Sequence, residues 1–362
     1  MSTRDFPCQG CGAKLHFAPG KNALKCPYCG AGNTVPQATA ESLGQAVEEL
    51  DYADYLARAA GNEASIERQT VTCSGCGAST QLPDHVTADR CPFCTAPIIA
   101  ADAYARRTIR PHVVAPFDVD AATARKRLGD WIKGLWFAPN ALKAAYRQAV
   151  GLKGLYLPYW TYDAVSTTAY EGMRGTYYTE TETYVENGQR GTRRVQRTRW
   201  TPVSGTVVLD FDDILIPATQ SLPQDWLDKL EPWRLNKLQP YREDYLAGFT
   251  VEAYQLGLEP SFDVARQHME AAIRRAVASD IGGNEQQIVT ISPHYRAITF
   301  KHLLLPVWLS SYLYGGKTWR FLINGQTGEV QGERPWSPWK IGTAVGLALL
   351  VMFLLFTLFN AR

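Results

Sequence analysis

The 362-residue chain carries 37 Lys and Arg against 35 Asp and Glu, a net charge of +2, and 46% of it is hydrophobic. That balance excludes a polyelectrolyte held to nucleic acid or anionic lipid by charge alone, and the apolar share excludes a disordered chain. The length allows a sizeable core and more than one domain.

All eight cysteines lie in the first hundred residues, in two sets of one design. Cys8-x2-Cys11 is followed after fourteen residues by Cys26-x2-Cys29, and Cys73-x2-Cys76 after fourteen by Cys91-x2-Cys94. The flanks repeat as well: Gly10-Cys11-Gly12-Ala13 matches Gly75-Cys76-Gly77-Ala78, and Cys26-Pro27-Tyr28-Cys29 matches Cys91-Pro92-Phe93-Cys94. A two-residue gap lets one tight turn aim both sulfurs at a single ion, and two such knuckles close an S4 shell. The expectation is one Zn2+ per quartet, with a rubredoxin-like iron site as the alternative, since S4 geometry suits both metals. Four thiolates leave no open position, so each site is expected to be structural. Thr95 stands where the first ribbon has Gly30, which predicts a looser second ribbon. His16 and His85 are expected in loops and not among the ligands. The ribbons are assigned to residues 1–36 and 71–100.

Residues 37–70 alternate Leu43, Val47, Leu50, Tyr55 and Leu56 with Glu41, Glu48, Glu49, Asp51 and Asp54, which predicts an acidic amphipathic helical linker. Residues 1–100 hold seven Lys/Arg and ten Asp/Glu, a net of −3, which favours protein contact over nucleic acid, although the first ribbon alone is mildly positive, with Arg4, Lys14, Lys21 and Lys25 against Asp5.

Residues 101–335 form the large body and read as two related α+β halves with antiparallel sheet. Phe117-Asp118-Val119 is expected to open an amphipathic helix containing Ala121, Ala124, Leu128, Trp131, Ile132 and Leu135, followed by Leu157-Pro158-Tyr159-Trp160. Phe262-Asp263-Val264 is expected to open a second, with Met269, Ile273 and Val277 inward, followed by Leu305-Pro306-Val307-Trp308. Asp118 and Asp263 are the expected N-caps, and each proline predicts a strand start, a bulge or a sheet edge. Between the motifs, Thr176–Glu186 alternates with Glu180, Glu182 and Glu186 on one parity. Asn187-Gly188 signals a hairpin turn, and Arg190, Arg193, Arg194, Arg197 and Arg199 line the returning arm. These arginines either pair across the hairpin or form a basic finger for anions. Asn324-Gly325-Gln326-Thr327-Gly328 and Gly315-Gly316 mark further turns. Gly316-Lys317-Thr318 is not a phosphate loop, because Ser311 occupies the place of its first glycine. Asp210, Asp212 and Asp213 could hold a hard cation but suit a solvated turn better, and His294 and His302 are expected as strand histidines. No nucleophile elbow, H-E-x-x-H or G-x-G-x-x-G is present, so no enzyme is expected.

Ile341 to Phe359 contains no charge, and a helix of nineteen residues is roughly 28 Å long, the thickness of a bilayer core. Trp336, Trp339 and Lys340 flank it as interfacial residues do. With no apolar leader at the start, the expectation is one C-terminal transmembrane helix at 336–362, inserted at the cell inner membrane with the bulk of the chain cytoplasmic; Arg334 and Lys340 agree with a positive-inside arrangement.

The paired ribbons, Gly154-Leu-Tyr-Leu-Pro-Tyr-Trp160, Tyr245-Leu-Ala-Gly-Phe249 and the apolar C-terminus together resemble the bacterial membrane-anchored double zinc-ribbon proteins. These often carry the label primosomal protein N′ (replication factor Y) helicase. The helicase label implies nucleotide-binding motifs that this sequence lacks. The resemblance also implies an association with SPFH/flotillin-like and phage-shock-A-like membrane-stress proteins. The resulting expectation is a non-enzymatic membrane adaptor for protein partners, with a membrane-tethered nucleic-acid-binding protein as the alternative. Aromatics of the body (Tyr156, Tyr159, Trp160, Trp308, Tyr312, Tyr314) are expected partly as core and partly as contact surface.

Overall fold

A computed structural model describes residues 6–36, 38–59, 65–81, 88–140, 151–186, 189–314, 317–334 and 336–360. The fold is α+β, and three long antiparallel strands organise it. The central strand, Lys153–Glu186, pairs on one side with the return strand, Gln189–Pro217, and on the other with the third strand, Glu285–Tyr314. Tyr162, Ala164 and Tyr170 of the central strand, Val203, Val207 and Phe211 of the return strand and Ile291 and Tyr295 of the third pack into one apolar cluster, with Ser166 and Thr168 buried among the central strand's residues. A 24-residue helix, Leu258–Ile281, lies on the inward face. It buries Phe262, Ala265, Met269, Ile273, Val277 and Ile281, a three-and-four spacing that gives one continuous apolar stripe.

The two Leu-Pro-x-Trp motifs face each other. Leu157 pairs with Leu305, Pro158 with Leu304, and Tyr156 with Pro306. A local twofold relates their surroundings. The short strand Val113–Val114 runs parallel to Leu303–Leu304 of the third strand, and Thr250–Glu252 runs parallel to Leu155–Tyr156 of the central strand. Each half therefore lends its short strand to the long strand of the other. Trp308 Nε1 donates to Val119 O at 2.8 Å, and Trp160 Nε1 donates to Leu256 O at 3.0 Å. Each carbonyl belongs to the residue just before a helix N-cap, Asp120 for the helix Ala121–Gly134 and Gly257 for the long helix. Even the loop bonds repeat: the amides of Asp118 and Val119 donate to Gly325 O, and those of Gln255 and Leu256 donate to Ala218 O.

This symmetry corrects the expected register. Phe117 corresponds to Tyr254, not to Phe262, which lies inside the long helix. Asp120 is the first N-cap, its Oδ1 accepting from Thr123 N at 2.7 Å. Asp118 instead accepts from Lys237 at 2.9 Å, and Asp263 pairs with Arg266. The prolines are corrected too, because both lie inside long strands. Pro158 falls between Tyr156, paired with Val251, and Tyr159, paired with Pro217. Pro306 falls between Leu304, paired with Val114, and Val307, paired with Asn324. Each occupies the gap where one neighbouring strand gives way to another, so the missing N–H breaks no ladder bond.

Neither ribbon hangs free. Leu15, Phe17 and Leu24 of the first share one buried cluster with Phe117, Leu128, Ile132, Tyr156, Tyr245 and Trp308. Phe17 N donates to Ala247 O, and Gly20 N donates to Phe117 O, both at 2.9 Å. The second ribbon buries Val71, Phe93 and Ile98 with Leu155, Leu157 and Leu303, and its strand Ser79–Gln81 pairs with Thr250–Glu252. The segment between them is likewise tied down. Its helices Ala40–Val47 and Tyr52–Ala59 flank Leu50–Asp51, which pairs with Thr299–Phe300, and Tyr55 packs edge-on to Phe300 with ring centroids 5.0 Å apart. The aromatics Tyr156, Tyr159, Trp160 and Trp308 are all buried, which assigns them to the core and removes them from contact surface. The side chains of Tyr312 and Tyr314 lie outside the described residues.

At the C-terminal end, Pro338–Asn360 forms one helix with mean hydropathy 2.5 over its most apolar window and none of that window buried. It is long and apolar enough to cross a membrane.

Candidate metal centres and binding surfaces

Each Cys-x2-Cys pair sits in the same turn. The amide of the first cysteine donates to a carbonyl five residues on, and its own carbonyl accepts from an amide four residues on, in all four knuckles. Gly12, Gly30 and Gly77 take the left-handed backbone that closes the turn, at φ of 73°, 76° and 75°. Thr95 takes it at φ 66°, the one knuckle without a glycine there.

The turns bring the sulfurs together as expected. Sγ of Cys8 lies 3.4 Å from that of Cys29, Cys11 lies 3.5 Å from Cys26, and Cys11 lies 3.7 Å from Cys29. In the second site Cys73 and Cys94 are 3.5 Å apart, and Cys76 and Cys91 are 3.6 Å apart. A disulfide would need about 2.05 Å. A tetrahedral S4 shell with metal–sulfur bonds near 2.3 Å has edges of about 3.8 Å. The donor sets therefore fit a tetrahedral metal ion. Backbone amides aimed at the sulfurs favour the thiolate: Cys26 is pulled down to about 6, chiefly by the amide of Cys29, and Cys8 is lowered chiefly by that of Gly10. Four sulfurs close each shell. His16 stands on the strand His16–Ala18 and is not one of the first cluster's ligand set, while His85 lies outside the described residues.

The aspartates at 210–213 do not assemble. Asp210 and Asp212 face solvent, and Asp213, at φ 51°, turns inward to Lys301. Lys301 is buried between Glu49 Oε1 at 2.7 Å and Asp213 Oδ1 at 3.0 Å, and Asp213 N donates to Asp163 Oδ1 at 2.7 Å. The ammonium already occupies the place a cation would take. Burial, with Glu49 alongside, raises Asp163 to about 7. Glu49 and Asp163 escaped the sequence reading because they lie far from Asp213 in the chain. His302 is buried and stacked on Trp160, with centroids 4.5 Å apart; burial, then His112, pushes it down to about 3. His294 is exposed.

A buried carboxyl went unnoticed in the sequence. Glu252 is 1% exposed; Oε1 accepts from Thr219 Oγ1 at 2.9 Å and from Ser221, and Oε2 has no partner among the described residues. Burial raises it to about 8, so it stands protonated at neutral pH.

The remaining distinctive surface is the arm. The third strand joins the central strand only as far as Gly175↔Glu285. From Thr176↔Arg199 to Glu186↔Gln189 the hairpin continues alone, roughly 35 Å of two-stranded ribbon. Arg193 reaches Glu182 at 3.0 Å, Arg197 reaches Glu180 at 2.6 Å as well as Glu182, and Arg199 lies over the Tyr178 ring at 5.1 Å. The acidic and basic strands thus pair within the hairpin. Among the described residues the return strand pairs only with the central strand, which leaves its outer backbone edge open from Gln189 to Pro217.

No protein-family model matches the chain, and no solved structure matches it. The chain is 27% identical over 234 residues to a Bacillus subtilis protein, the uncharacterized protein YdjG, taking in 64% of this chain and 66% of the relative. It spans just under two thirds of that relative's length.

Proposed function

We propose that the protein is a non-enzymatic membrane-anchored adaptor, with a Zn2+ ion in each S4 site, that holds protein partners at the cytoplasmic face of the inner membrane through its β arm. The observation that carries this reading is the open edge of the return strand. An unpaired edge of this length is a template for an added strand. The five arginines spread along the arm from Arg190 to Arg199 disfavour pairing with a second identical edge, since like charges would stand opposite one another. Arg190, Arg194 and Arg199, which no carboxylate of the described hairpin holds, favour an acidic extended segment of another protein. The closed metal shells supply rigidity without chemistry, and the exposed apolar helix supplies the anchor. Arg193 and Arg197 are neutralised by Glu180 and Glu182, which weighs against the nucleic-acid alternative. The resemblance nominates SPFH/flotillin-like and phage-shock-A-like proteins as partners to test first.

The reading is tested with a photoreactive residue in place of Val208, which is 55% exposed on the return strand, in cells expressing the full chain. A discrete protein adduct is expected, and it should disappear when Thr206→Pro interrupts the edge. No adduct, or one indifferent to the proline, would refute strand addition there.

A further inference from the structure

The helix Ala121–Gly134 ends in the turn Leu135-Trp136-Phe137-Ala138, roughly two hundred residues before the apolar helix. Leu135 and Ala138 are buried in the core, but Trp136 is 81% exposed. This turn is fastened to the first turn of the apolar helix. Lys340 Nζ donates to Ala138 O at 2.8 Å, to Trp136 O at 3.3 Å and to Asn140 Oδ1 at 2.9 Å. Ser337 N donates to Phe137 O at 2.8 Å, and the Phe137 ring lies 6.3 Å from Trp336. The three donors of the Lys340 ammonium are thereby directed into the body, where a flanking lysine would ordinarily extend toward headgroups. Trp136 is consequently held at the level where the uncharged stretch begins at Ile341. Trp339 is 84% exposed and Trp336 54% exposed at the same level, with Arg334 over the Trp336 ring at 4.7 Å.

We infer that Trp136 is a second membrane contact, an indole seated in the phospholipid headgroup layer beside the span, which with the Lys340 clamp fixes how the body stands on the bilayer. The inference rests on reading Pro338–Asn360 as a membrane span. The occupant is lipid and not protein because the patch is continuous with the span and is made of the amphipathic rings that settle at that depth.

The test places p-benzoylphenylalanine at position 136, or at position 350 within the apolar helix, in the full chain reconstituted into phosphatidylethanolamine–phosphatidylglycerol vesicles. Irradiation is followed by detection of phospholipid adducts. Adducts at both positions are expected, those at 136 carried near the headgroup and those at 350 on the acyl chains. Adducts at 350 with only background at 136 would overturn the inference and leave the span standing. Background at both would overturn the span and the inference with it. Trp136→Ser should keep metal content and detergent-phase unfolding unchanged, and a loss of either would show the indole to be structural instead.

Discussion

At the residue scale, the two cysteine quartets were legible because their signal is local. Two residues between cysteines and a glycine after them specify a knuckle without reference to the rest of the chain. The same locality exposes one weak point, Thr95, whose left-handed backbone carries a penalty that glycine avoids. Thr95→Gly is expected to stabilise the second ribbon by about 1 kcal/mol, read as tighter metal retention against a chelator, with no change at the first site. Glu252 was not legible, since its burial depends on Thr219, Ser221 and the second ribbon closing over it. Its carboxyl rises from about 4.3 in the unfolded chain to about 8 in the fold. Between those values the folded state binds more protons, so stability falls as pH rises through the window. Glu252→Gln should remove that slope. Thermal unfolding from pH 5 to pH 9 should show the variant gaining on the wild type as pH rises; parallel curves would contradict a buried protonated carboxyl.

Elements were harder to read than residues. The repeated Leu-Pro-x-Trp strands and both amphipathic helices are legible in the sequence, but Phe-Asp-Val is not the point at which the halves correspond. The true correspondence runs through Phe117 and Tyr254, whose role is to meet Trp308 and Trp160 across the dyad. Such contacts are long-range, and the letters alone do not reveal them. The placement of the prolines failed for the same reason, because only the folded sheet shows where one neighbouring strand stops and another starts. Trp160→Phe and Trp308→Phe should each cost about 1–3 kcal/mol by orphaning a carbonyl before a helix N-cap. Along the strands they stand roughly 20 Å apart, so the double variant should be additive in denaturant unfolding. The docking of the ribbons was also missed. An independent ribbon would lose its metal without disturbing residues 101–335, but Phe17 and Leu24 belong to the body's core. Cys26→Ser should therefore release one metal equivalent and lower the body's Tm by several degrees. An unchanged body transition would mean that the interface contributes nothing.

For the whole molecule, the long apolar helix Pro338–Asn360 was legible from composition, while the hairpin turn expected at Asn187-Gly188 lies outside the described residues. The reach of the arm was not legible. Its length follows from where the third strand begins, and that is set by Gly282 and Gly283 turning the long helix back at φ 66° and 82°. On the function proposed above, the body is held to a membrane by one helix, braced by two metal sites, and extends an open-edged ribbon toward partners. The most direct measurement removes the ribbon alone. Deleting 176–186 and 189–199 leaves Asn187 and Gly188 to link Gly175 to Trp200, an existing cross-strand pair. The mass of the complex extracted from native membranes in mild detergent is then compared with that of the full chain. The shortened protein is expected to keep both metal equivalents and its membrane fraction while its complex collapses to the protein alone. A complex of unchanged mass would contradict the proposed function.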